Sequence, residues 1–166
     1  MNTATDQPLN ERRARTRKEI KQLITERNSV LSQYYNLVSS LDTSNEASDA
    51  NEPILDLLQE FCQELVDYLA TGHFEIYRRI EDGEERRDDI IKLAQSIFNG
   101  ITSTTEVAID FNDLYDAKDG NPKEAVKDLP SQLSKLGECL ATRMELEDKF
   151  INSLLTPSSR PELHAV

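Results

Sequence analysis

The chain has 166 residues, a formal charge of −12, 37% apolar and 30% charged residues, and only five glycines and six prolines. That length suits one domain with a substantial core, and the absence of runs rich in β-branched and aromatic residues points away from a sheet. The charge argues against general nucleic-acid binding, because phosphates are repelled at long range, and no apolar run approaches the roughly 18–20 residues of a membrane span.

The opening residues MNTATDQPLN carry neither a basic stretch nor an apolar one, so they do not read as a secretory signal, and the protein is expected to be cytoplasmic. Residues 1–10 are expected to be disordered. Asn10 is a good N-cap for a first helix running to about Ser40. Its apolar positions Ile20, Ile24, Leu31, Tyr34, Val38 and Leu41 form one stripe, flanked by Leu23, Val30 and Leu37. Between Asn10 and Ile20 the only apolar residue is Ala14, so the first turns are expected to project from the body. They are also basic. Residues 11–27 sum to +4, through Arg12, Arg13, Arg15, Arg17, Lys18, Lys21 and Arg27, and leave −16 for the rest.

Residues 42–52, DTSNEASDANE, read as a flexible connection. Pro53 fits the first turn of a second helix, which would bury Ile54, Leu57, Leu58, Phe61, Cys62, Leu65 and Leu69. Gly72 is expected just past its end in a left-handed conformation. A short helix from His73 to about Glu81 follows, then a turn at Asp82-Gly83. A long helix is expected from about Glu84 to Thr102, extendable through Val107 and Ile109 despite the Thr-rich run. After a loop at 116–121, Asn121-Pro122-Lys123-Glu124 has the pattern of a helix start. Pro130 must interrupt or restart that helix. The last helix would run from Pro130 to Leu155, with Leu133, Leu136, Leu140, Met144, Ile151 and Leu154 on one face, before a disordered tail at 156–166. Four long amphipathic helices with one or two short ones predict an all-α fold: an antiparallel up-and-down helical bundle forming a single domain over 11–155. Arg27 and Glu147 fall on the apolar seams and fit bundle ends or groove walls.

Catalytic patterns are missing. There is no Gly-rich phosphate loop and no nucleophile elbow. Cys62 and Cys139 sit among apolar positions without metal-ligand spacing to a second Cys or His, so no metal and no cofactor is expected. A histidine-phosphotransfer bundle is the main alternative, but His73 is followed by Phe74, Glu75, Ile76 and Tyr77 rather than the lysine and glycine of that class. A capping or hydrogen-bonding role for His73 fits better.

The second helix carries the sharper signal. On a wheel stepping about 100° per residue, with Phe61 at zero, the apolar residues fall between roughly −40° and 140°. Asp56, Asp67, Glu60 and Glu64 collect at about 220–300°. No lysine or arginine lies between Asp56 and Asp67, and like charges four apart cost a helix about 0.2–0.5 kcal/mol per pair. Such a ridge is either simply solvated or suited to a basic partner, for which helices that contact DNA phosphates are a natural class.

Three blocks carry a family resemblance. They are Phe61-Cys62-Gln63, Leu65-Val66-Asp67-Tyr68-Leu69, Gly72-His73-Phe74 and Ile76-Tyr77 in the centre; Tyr34-Tyr35-Asn36-Leu37-Val38 in the first helix; and Gly137-Glu138, Leu140, Arg143 and Leu146-Glu147-Asp148-Lys149 in the last. Together they resemble the Rsd/AlgQ family, bacterial regulators of sigma D. The resemblance implies an all-helical anti-sigma factor and no enzyme. Its partner would be region 4 of the primary sigma factor, kept in a 1:1 complex from the −35 promoter element and from core RNA polymerase, without direct nucleic-acid or membrane contact. Such regulation would favour alternative sigma factors in non-growing, stationary-phase cells. The family aspartate matching Asp67 contributes to sigma binding, and Phe74 matches a second contact position. Where the family has Asp-Arg-Trp in the first helix this chain has Lys21-Gln22-Leu23, so Leu23 stands at a contact position without its aromatic ring.

Overall fold

The computed structural model describes residues 3–43, 51–81, 83, 85–116 and 126–156. Helix α1 spans Thr3–Thr43, α2 Asn51–Thr71, α3 Arg78–Glu81, α4 Asp88–Asp116 and α5 Leu129–Leu155, and a π-helical turn, Gly72–Tyr77, joins α2 to α3. There is no strand among the described residues. The packing is that of an antiparallel bundle. Tyr34 meets Phe61 of α2, and Arg79 of α3, further along the same rod, meets Thr16, so α1 runs opposite to that rod. Arg27–Asp148 with Tyr34–Leu133, and Thr104–Cys139 with Ile101–Arg143, repeat that relation for α1 with α5 and for α4 with α5, and Phe61 packs against Phe111 of α4.

Several element ends differ from the sequence reading. Helix α1 starts at Thr3 rather than after Asn10, so Pro8 falls within its second turn rather than before it. Its first turns do project, since Asn10 to Lys18 are exposed apart from a half-buried Thr16. Helix α4 begins four residues later than expected and continues to Asp116. Its threonine run is accommodated because Thr104 and Thr105 each donate a hydroxyl hydrogen bond to the Ile101 carbonyl, at 2.7 and 2.9 Å. Pro130 falls in the first turn of α5, as a restart requires. The 44–50 connection, the 117–125 loop with its expected helix start at Asn121, and the tail 157–166 lie outside the described residues.

The core also shifts on α1. Leu23, Val30 and Leu37, expected as flanks, are at most 1% exposed, whereas Ile24 is 37% exposed. They are seven residues apart, the repeat that keeps one seam facing its neighbours along a long helix. At Gly72 no left-handed break occurs. Among the described residues the positive-φ glycine is Gly83, at 73°, and the rod runs from α2 through the π-helical turn into α3. Gly72 is instead buried within the rod: a Cβ there would lie 3.4 Å from both Arg143 Nη2 and Tyr77 Cε2, in van der Waals contact with each.

Candidate partner-binding site

Helix α2 turns Phe61, Leu65 and Tyr68 fully inward, and the rotation that buries them sets its outer face. Asp56, Glu60 and Asp67 are exposed and Glu64 is half-buried. Among the described residues none of the four makes an ion pair or a side-chain hydrogen bond. Val66, 43% exposed, adds apolar surface beside Asp67. The acidic ridge is therefore brought together as one open strip. Phe74 falls in the π-helical turn directly beyond the ridge, and its side chain lies outside the described residues. Leu23 is not on the surface. At 1% exposure it belongs to the core seam of α1, 3.7 Å from the position a Cβ on Gly72 would take, so it supports the turn from within rather than facing a partner.

Behind the ridge lies a feature absent from the sequence reading, a buried charged cluster. Arg143 and Glu147 are each 1% exposed and pair at 3.1 Å on the inner face of α5. Arg143 Nη1 donates to the hydroxyls of Thr104 (3.1 Å) and Thr105 (2.7 Å) on α4, and its guanidinium lies 5.6 Å from the centre of the Tyr68 ring. Tyr68 donates its phenol to Glu147. Arg27 of α1 approaches Glu147 at 3.7 Å and bonds the more exposed Asp148 at 2.7 Å. Burial pushes the Glu147 carboxyl above its ordinary range, against the opposing pull of Arg143, Tyr68 and Arg27. Burial, aided by the Glu147 charge, likewise raises the phenols of Tyr68 and Tyr77. The signal in the sequence was positional: Glu147 stands seven residues from both Leu140 and Leu154, on the line of buried leucines. Glu147 is thus a core residue rather than one of a bundle end or groove wall, and Arg27, with 12% of its side chain exposed, approaches it from the edge of the core.

The π-helical turn closes this end. The Arg78 amide bonds the His73 carbonyl, five residues back, and Tyr77 stacks on Phe150 at 5.9 Å. Arg79 reaches α1, donating to Thr16 at 2.8 Å and approaching Glu19 at 3.4 Å. His73 is exposed. Among the described residues no group of three or more His, Cys, Asp or Glu is placed to hold a metal ion, and no helix is long and apolar enough to cross a membrane. A concavity between α4 and α5, bordered by Val107, Phe111, Leu114 and Leu136, holds about 190 Å³, below the roughly 300–1,000 Å³ of small-molecule pockets.

Residues 3–155 match the family described as regulator of RNA polymerase sigma(70) subunit, Rsd/AlgQ. The chain is 34% identical over 145 residues to a regulator of sigma D from Enterobacter sp. (strain 638), covering 86% of this chain and 84% of that protein. It is also 34% identical to regulators of sigma D from Escherichia coli (strain SMS-3-5 / SECEC) and Shigella boydii serotype 18, covering 86% of this chain and 87% of each. No solved structure matches it. The chain belongs to the Rsd/AlgQ family of regulators of the RNA polymerase sigma(70) subunit.

Proposed function

We propose that this protein is an anti-sigma factor that captures region 4 of the primary sigma factor through the outer face of α2. Family membership supports sigma regulation. The observation that carries the choice of surface is the unpaired state of Asp56, Glu60, Glu64 and Asp67 on one exposed strip. Region 4 reads the −35 element with a helix-turn-helix, whose basic side chains meet DNA phosphates. The carboxylates of α2 would occupy those cations. Val66, and Phe74 at the adjoining turn, would supply the apolar part of an interface of roughly 1,200–2,000 Å².

The mechanism is competition. A sigma factor held this way, one to one in the cytoplasm, cannot place region 4 on promoter DNA or on core RNA polymerase, so alternative sigma factors gain access to the enzyme in non-growing cells. No step needs a cofactor, catalysis or direct contact between this chain and nucleic acid.

Substitution Asp67→Lys tests this reading. Asp67 is exposed and unpaired, so the variant is expected to melt as the parent does. Its new cation would face those of region 4, at a cost on the order of several kcal/mol, and capture of isolated region 4 in a pull-down would be lost. Undiminished capture by the folded variant rejects the α2 surface.

A further inference from the structure

The cluster of Arg143, Glu147, Tyr68 and Arg27 is not part of the exposed strip, yet it touches every long helix and the π-helical turn. Arg27 comes from α1, Tyr68 from α2, Arg143 and Glu147 from α5, and their neutral partners Thr104 and Thr105 from α4. Gly72, the first residue of the turn, packs beside Arg143: an added Cβ would be in van der Waals contact with its guanidinium, at 3.4 Å.

Charge buried at this depth is a poor source of stability, because desolvation offsets much of the attraction, and apolar residues of similar volume often serve a core as well. What a buried hydrogen-bonded pair supplies that leucines do not is direction. An apolar face tolerates small rotations and slips, since one methyl contact replaces another. A phenol committed to one carboxylate oxygen does not. Tyr68 is that committed group, and Asp67 precedes it by one step of about 100° around the helix.

We propose that Arg143, Glu147 and Tyr68 are positioning residues for the partner-binding face: they fix the rotation of α2 and seat the π-helical turn, and so hold Asp67 and its neighbours in their outward register. The proposal rests on the reading that the α2 strip is the sigma-binding surface, and it assigns that surface an internal support. Tyr68 sets the angle of the helix. Arg143 carries the turn through Gly72, and Glu147 joins the two.

The test uses the full chain and three variants. Arg143→Met with Glu147→Leu replaces the ion pair by apolar groups, Tyr68→Phe removes only the hydroxyl, and Leu133→Val disturbs the core 14 residues from Glu147 along α5, roughly 21 Å at helical rise. Amide hydrogen exchange over 68–77 and capture of sigma region 4 are measured where each variant is folded. The apolar pair is expected to keep a cooperative melt, exchange about tenfold faster in the turn and bind region 4 about tenfold more weakly, while Leu133→Val matches the parent in both. Tyr68→Phe is expected to move both readouts the same way by a smaller factor, and it decides the matter if the apolar pair does not fold. Parental exchange and parental capture in a folded variant lacking the cluster would overturn the proposal. If Asp67→Lys also leaves capture intact, the surface assignment has failed instead, and the exchange measurement alone judges the cluster.

Discussion

Tyr68 and Glu147, 79 residues apart in sequence, share a buried hydrogen bond at the centre of the bundle. The phenol is the donor, and it stays protonated because burial and the adjacent carboxylate both disfavour its ionised form. Tyr77, facing the same charges from the π-helical turn, is raised for the same reasons.

An alkaline limit on stability follows. Both phenols ionise near their ordinary value of 10.0 in the unfolded chain but at higher pH in the fold. Their contribution is therefore fully present below that value and is lost as pH climbs above it. Each tyrosine should add a slope of about 1.4 kcal/mol per pH unit to the loss. Urea unfolding between roughly pH 9 and 11 measures it, with Tyr68→Phe and Tyr77→Phe each expected to remove one such slope. Equal slopes in parent and variants would show that the phenols ionise alike in both states.

Removing each of two adjacent carboxylates should destabilise by very different amounts. Glu147 is buried and faces both Arg143 and Arg27, whereas the Asp148 side chain is 58% exposed and bonds only the outer nitrogen of Arg27. Glu147→Ala leaves a buried guanidinium without its countercharge, a change of about 3–5 kcal/mol. Asp148→Ala breaks a solvent-screened pair worth about 0–1 kcal/mol. Thermal or denaturant melts of the two variants decide this, and similar losses would mean that Arg143 is satisfied by Thr104 and Thr105 alone.

The helices and the strip were legible in the sequence because both rest on local periodicity. Charge at 56, 60, 64 and 67 needs only the 3.6-residue repeat to become one ridge. The cluster behind it was not legible. Arg27, Tyr68 and Glu147 are brought together by tertiary packing across three helices, and the heptad position of Glu147 showed only that a charge faced the core. The seam of α1 lies one flank away from the expected stripe, because a pattern of threes and fours leaves two adjacent lines nearly equal. Contact with α2 then selected Leu23, Val30 and Leu37. Gly72 has the composition of a stop signal, yet the rod continues through it into the π-helical turn, packed beside Arg143 of α5, a contact that no local pattern encodes.

Sigma capture should weaken with salt. The ridge is solvent-exposed, so its attraction to a basic partner is screened over a Debye length of about 10 Å at 0.1 M ionic strength, falling to about 3 Å at 1 M. Most of the change is expected in the association rate, since exposed charges steer encounter more than they hold the complex. Kinetic binding to region 4 across that range checks this. A flat association rate would remove the ridge from the encounter, whatever Asp67 does once bound.

The α1–α5 contact offers a sterically defined test of the bundle itself. Gly137 of α5 lies under the ring of Tyr34, whose hydroxyl donates to the Leu133 carbonyl at 2.8 Å. A Cβ at Gly137 would collide with that hydroxyl and lie 3.0 Å from the ring carbon bearing it. Gly137→Ala favours the helix by about 1 kcal/mol in propensity, but overpacking of this kind costs about 1–3 kcal/mol, so net destabilisation is expected. Tyr34→Phe removes the colliding oxygen, and in a double-mutant cycle the alanine should cost less, or stabilise, in that background. Additive effects in the cycle would mean that α1 and α5 separate enough to relieve the contact, and the close approach at Gly137 would then not determine their spacing.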